Sequence, residues 1–93
     1  MGGPGWPLAV LKDAAQGVVD CPPSGRNRWG GGGRHNALYC AALRVSRPVG
    51  EGYLDPGGAV KVLAAAARHA GIEGDDEIAR TIRNGFRAGG LPA

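Results

Sequence analysis

Four stretches of small apolar residues recur at helical spacing along this chain, and each is closed by proline or glycine. That punctuation leaves few folds open. In 6-WPLAVLKDAAQGVVDC-21, Leu8, Leu11, Ala15 and Val18 fall three or four residues apart and define the expected inner face. Pro7 stands where a first helical turn accepts proline, and Cys21-Pro22-Pro23 ends the pattern, because a residue before proline avoids the α region. In 36-NALYCAALRV-45 Asn36 is the expected N-cap, with Leu38, Ala41, Ala42 and Val45 facing inward. Apolar residues run nearly all round this stretch, which marks the central helix. Pro48 is expected to kink or stop it, with the turn at 50-GEGY-53.

The third stretch, 55-DPGGAVKVLAAAARHAG-71, has Asp55 as N-cap, Pro56 at the first helical position and Gly71 as the left-handed cap. Val60, Leu63, Ala67 and Ala70 are expected to point inward. The fourth, 75-DDEIARTIRNGFRAG-89, opens with acids, which suit the positive end of a helix dipole. Ile78, Ile82 and Phe86 share one side, and Arg80, Arg83 and Arg87 the opposite one, with Asn84 beside them. No strand signal matches these patterns. The expected fold is all-α, a small bundle of about four short helices with a Gly/Arg-rich loop between the first two. Residues 1–33 read as an N-terminal helix plus that loop, partly flexible, and 34–93 as a helical domain.

A chain of 93 residues holds one small core and rarely a full catalytic apparatus. Its net charge of +3 leans towards an anionic partner. Nine of its eleven basic residues are arginine, whose guanidinium matches phosphate, although a GC-rich genome, which favours arginine and alanine codons whatever the function, explains the bias at least as well. The N-terminus lacks the pattern of a secretory signal, and no apolar run has the ~20 residues of a membrane span. The expectation is a cytoplasmic protein with no membrane association and with Cys21 and Cys40 reduced.

The run 24-SGRNRWGGGGRHNALYCAAL-43 is not a phosphate-binding P-loop, since Arg34-His35-Asn36 follows the glycines where lysine and Ser/Thr are needed. A weaker possibility stays open: Arg34 and the backbone amides near Asn36 holding one phosphate, against a slack basic connector. Trp29 is either a platform for a stacked base or an apolar flap over a thin alanine core. The Arg80/Arg83/Arg87 stripe can neutralise several phosphates, or it is a solvated outer face paired with the acids at 73–77. A helix-turn-helix reading of the third and fourth stretches puts Glu77 at a core position and makes the connection one residue too long. Cys21, His35, Cys40 and His69 lack metal-ligand spacing, and the carboxylates are explained as helix starts. No metal and no catalytic residue are expected.

Residues 33-GRHNALYCAALRV-45, 52-GYLD-55, 63-LAAAARHAGI-72 and 77-EIARTIRNGFRAG-89 together resemble a helical accessory domain, of C-terminal type, in phage and plasmid primases and primase-polymerases. Arg34, Leu38, Ala41, Ala42, Thr81, Ile82, Gly85 and Gly89 fall on that family's pattern. His35 stands in place of its asparagine, Ser46 of a glycine and Asn84 of a serine. The loop over 24–33 looks like an insertion. The resemblance implies a module without the polymerising centre, either a fragment or a free-standing phage-type protein, that engages template DNA with nucleotide as a possible co-ligand and no other cofactor.

The resulting expectation is a non-catalytic accessory module of phage or plasmid replication and priming. It would bind single-stranded or template DNA and work beside a primase or helicase. Arg34, Asn36, Arg80, Arg83, Asn84 and Arg87 would hold phosphate, and Trp29 would stack a base. The alternatives are a small protein–protein adaptor that binds a host factor without DNA, and a helix-turn-helix-like regulator.

Overall fold

The computed structural model describes residues 5–21, 29 and 32–91. Most of the Gly/Arg-rich loop, including Arg26 and Arg28, lies outside the described residues. The described chain is all-α. It forms α1 (Trp6–Val19), α2 (Arg34–Gly50), α3 (Pro56–His69) and α4 (Asp75–Ala88).

The centre of the bundle is α2, which packs on all three other helices, while α1 and α4 do not touch. Its inner face is the one expected: Leu38, Ala41, Ala42 and Val45 are fully buried. Ile78, Ile82 and Phe86 close the core from α4, Leu63 from α3, and Leu11 and Val18 from α1. Half-buried Trp29 also packs against this core, in the position of an apolar cover.

The α2–α4 contact is set by missing side chains. A Cβ on Gly85 would sit 2.6 Å from the Ala42 Cβ and 2.7 Å from the Tyr39 carbonyl oxygen. One on Gly89 would meet the Ser46 Cβ at 2.6 Å. Residue 85 therefore lies against 42 and residue 89 against 46, so α2 and α4 run parallel and α3 returns between them. Ser46 is buried in this seam, where its hydroxyl donates to the Leu43 carbonyl. Two helices with glycine on one side and alanine and serine on the other bring their backbones close and gain dispersion contacts along the seam.

Helix ends follow local chemistry. The Asp55 carboxylate accepts from the Gly58 amide at 2.8 Å, and Pro56 takes the first turn. The far ends of α2, α3 and α4 share one closure, with two amides beyond each helix turning back to its last carbonyls. In α3, Gly71 bonds the Arg68 oxygen and Ile72 the Ala67 oxygen, both at 3.0 Å. The left-handed residue is glycine in each case: Gly52, Gly71 and Gly90.

Three local expectations are corrected. First, α2 begins at Arg34, with Gly33 at the N-cap, and Asn36 lies inside the first turn. Gly33 has φ 83°, which lets the chain turn into a helix earlier than an asparagine cap would. Second, Pro48 does not stop α2, which continues to Gly50. The lost amide bond falls in the last turn, the ring is fully buried, and the Pro48 carbonyl accepts from the Tyr53 amide at 2.9 Å.

Third, the inner faces of α1 and α3 are rotated. Leu8 is exposed, and Ala15, Val60 and Ala70 are only half-buried. Ala14 and Gly17 on α1, with Ala59, Ala64 and Ala66 on α3, lie inside instead. Helix α1 faces two neighbours and α3 faces three, so their small residues mark the closest approach and larger ones are displaced to the flanks.

Candidate nucleic-acid interface

Helix α4 separates its residues sharply. Ile78, Ile82, Gly85 and Phe86 are buried, whereas Arg80, Arg83, Asn84 and Arg87 are exposed on the outer side. The structure thus brings together four of the residues singled out from sequence. Arg80 bonds Glu77 at 3.1 Å, and Arg68 from α3 bonds Asp75 at 3.0 Å. All four of these side chains are about half exposed or more, so each pair contributes at most about 1 kcal/mol and gives way to a competing phosphate. Among the described residues, Arg83 and Arg87 have no carboxylate partner. Arg87 lies in the last turn, where a cation also complements the helix dipole.

Beside Arg83 opens a cavity of about 480 Å³ between α2, α3 and α4. Val49, Val60, Ile82, Phe86 and Leu91 make its walls apolar, with Arg83 the charged residue lining it.

Arg34 and Asn36 lie apart from Arg87, because parallel packing places the start of α2 near the start of α4. Arg34 Nη1 donates to the Ala70 carbonyl, closing the negative end of α3 with a cation. Gly71 leaves room for this bond, since a Cβ there would lie 2.6 Å from Nη1. Glu73 shares the adjoining depression with Arg34 and His35, so the surroundings are less favourable to an anion than the outer face of α4. The Asn36 Oδ1 atom accepts from the Cys40 thiol at 3.6 Å. Burial pushes the Cys40 pKa up, which keeps that thiol protonated as a donor.

Cys21 and Cys40 are not joined in a disulfide. Among the described residues no three His, Cys, Asp or Glu side chains converge as a metal site, and no helix is long and apolar enough to cross a membrane. Between α3 and α4, Ile72 and Ile78 are buried while Glu77 is exposed.

A second basic surface was not evident from the sequence. Trp6, Val10, Arg44, Arg47, Glu51 and Tyr53 line a cavity of about 570 Å³ where α1 meets the end of α2. Its only linear signal is the three-residue spacing of Arg44 and Arg47, which any solvated helix shows. Trp6 and Tyr53 are far apart in sequence, and the turn after α2 joins them.

No protein-family model, curated protein or solved structure matches the chain. The fold and site define a small all-α bundle whose last helix carries three exposed arginines beyond an acidic first turn.

Proposed function

We propose that this protein is a non-catalytic DNA-binding module that engages single-stranded or template DNA in replication or priming, as the resemblance of residues 33–89 to primase accessory domains implies. The observation that carries the reading is the outer face of α4. Arg83 and Arg87 lack carboxylate partners among the described residues, and Arg80 is held only by an exposed pair. Guanidinium groups so placed can each take a backbone phosphate, and Asn84 adds a neutral donor between them.

Binding to a labelled single-stranded oligonucleotide should fall as salt rises. Exchange of Arg80, Arg83 and Arg87 for glutamine should weaken it at least about tenfold at low salt and reduce the salt slope by about two. A variant that keeps its helicity and binds as tightly as the wild type would remove α4 from the interface. The apolar cavity beside Arg83 favours a second reading, an adaptor that takes a partner's apolar side chain there. Capture of a protein partner insensitive to salt, with no DNA binding at low salt, would replace the first reading by this one.

A further inference from the structure

The cavity between α1 and the end of α2 carries a more specific assignment. Trp6 and Tyr53 contact edge to face, with ring centroids 5.5 Å apart and planes inclined by 62°. Tyr53 is 60% exposed. The turn after α2 holds it out: its amide is fixed to the Pro48 carbonyl, and Gly52 takes the left-handed position before it. An exposed aromatic ring braced by a second ring loses little conformational freedom when a third ring stacks on it. Val10 supplies an apolar wall.

Charge in the same cavity comes from Arg44 and Arg47, one helical turn apart, and from Glu51, which leaves one positive charge in excess. Each arginine is near a carboxylate at the limit of ion pairing: Arg44 lies 4.0 Å from Asp13, and Arg47 lies 3.9 Å from Glu51. Their side chains are 53% and 82% exposed. Such pairs hold the guanidinium groups loosely and are displaced by a better-matched anion. An exposed ring with two loosely held guanidinium groups beside it combines the two contacts that single-stranded nucleic acid offers, a base face and a backbone phosphate.

We propose that this cavity binds one nucleotide unit of single-stranded DNA, with the base stacked on Tyr53 and its phosphate held by Arg44 and Arg47. The assignment rests on the DNA-binding reading and adds a site on a different part of the bundle, since α1 and α4 do not touch. It also reassigns the stacking role from Trp29, which packs against the core, to an aromatic ring that faces outward.

The test uses the full chain carrying Trp29→Phe, so that Trp6 is its sole tryptophan, titrated with a thymidine oligonucleotide at low salt. Quenching of Trp6 emission is expected on binding. Tyr53→Ala in that background should weaken binding by about tenfold, and paired Arg44→Gln and Arg47→Gln exchanges by a similar factor. Tyr53 is exposed, so its removal leaves the core intact, and circular dichroism of each variant checks that the fold is kept.

If the oligonucleotide binds, the Arg80/Arg83/Arg87 variant loses affinity, and the Tyr53 and Arg44/Arg47 variants do not, the cavity assignment is overturned while the DNA reading stands. No binding by the wild type overturns both. Thymidine monophosphate competing as well as the oligonucleotide, per phosphate, would overturn assignment to a strand and leave a free-nucleotide site.

Discussion

The seam between α2 and α4 and the cavity between α1 and α2 use the same central helix in opposite ways. Along the seam, Gly85 and Gly89 remove side chains so that Ala42 and Ser46 approach α4 directly, and no space remains. At the cavity, α2 turns Arg44 and Arg47 outward, and Trp6 and Tyr53 meet edge to face in its wall. One contact is dry and intolerant of added atoms; the other is open and held by exposed groups. Stability should depend on the first, and ligand binding on the second.

The strongest way to break that contrast is Gly85→Val. Its new Cβ would press on the Ala42 side chain and the Tyr39 carbonyl, so a loss of about 3 kcal/mol is expected in urea unfolding. An unchanged midpoint would mean that the helices are not packed this closely. Gly89→Ala should cost less, about 1–2 kcal/mol, because only the Ser46 side chain stands in its way. Ser46→Gly removes that obstacle. The double variant should therefore be more stable than the sum of the single losses, and strict additivity in a double-mutant cycle would contradict the contact.

Arg34→Met removes the cation closing α3 while keeping most of the side chain's bulk. A loss of about 1 kcal/mol in thermal unfolding, without a change in oligonucleotide affinity, would mark Arg34 as a structural cap. An affinity loss with unchanged stability would return it to the DNA interface. At the cavity, Tyr53→Ala should shift stability by less than about 0.5 kcal/mol, since the ring is mostly exposed. A larger loss would show that the Trp6–Tyr53 contact belongs to the fold. The smallest effect concerns Cys40. Burial disfavours its thiolate, so in a Cys21→Ser variant alkylation should set in at higher pH than for a fully exposed cysteine.

Much of this architecture is legible in the residues themselves. Asp55-Pro56 starts α3 and Gly71 ends it, because capping depends on groups within a few positions of each other. The buried face of α2 follows from spacing alone, as does the opposition of Ile78, Ile82 and Phe86 to the arginines of α4. Pro48 and Asn36 were harder to read. The first is tolerated because tertiary packing buries its ring at the end of a helix, and the second lost its role to a glycine whose conformation no local pattern announces.

The basic outer face of α4 could be read from helical periodicity, whereas the partners of its arginines could not. Glu77 pairs with Arg80 within one turn, but Asp75 pairs with Arg68 from the preceding helix. Arg34 shows the same limit more strongly, since its bond is to a carbonyl 36 residues away in the chain.

Sequence by itself determined the number of helices, both ends of α3 and which side of α4 carries the arginines, because those properties arise from neighbours within a turn or two. Tertiary structure alone decided the close glycine seam, the rotation of α1 and α3, and the meeting of Trp6 with Tyr53 beside Arg44 and Arg47. These depend on how near two backbones can come. That distance is set jointly by small residues on separate helices, and no single stretch of the chain contains both sides of the contact.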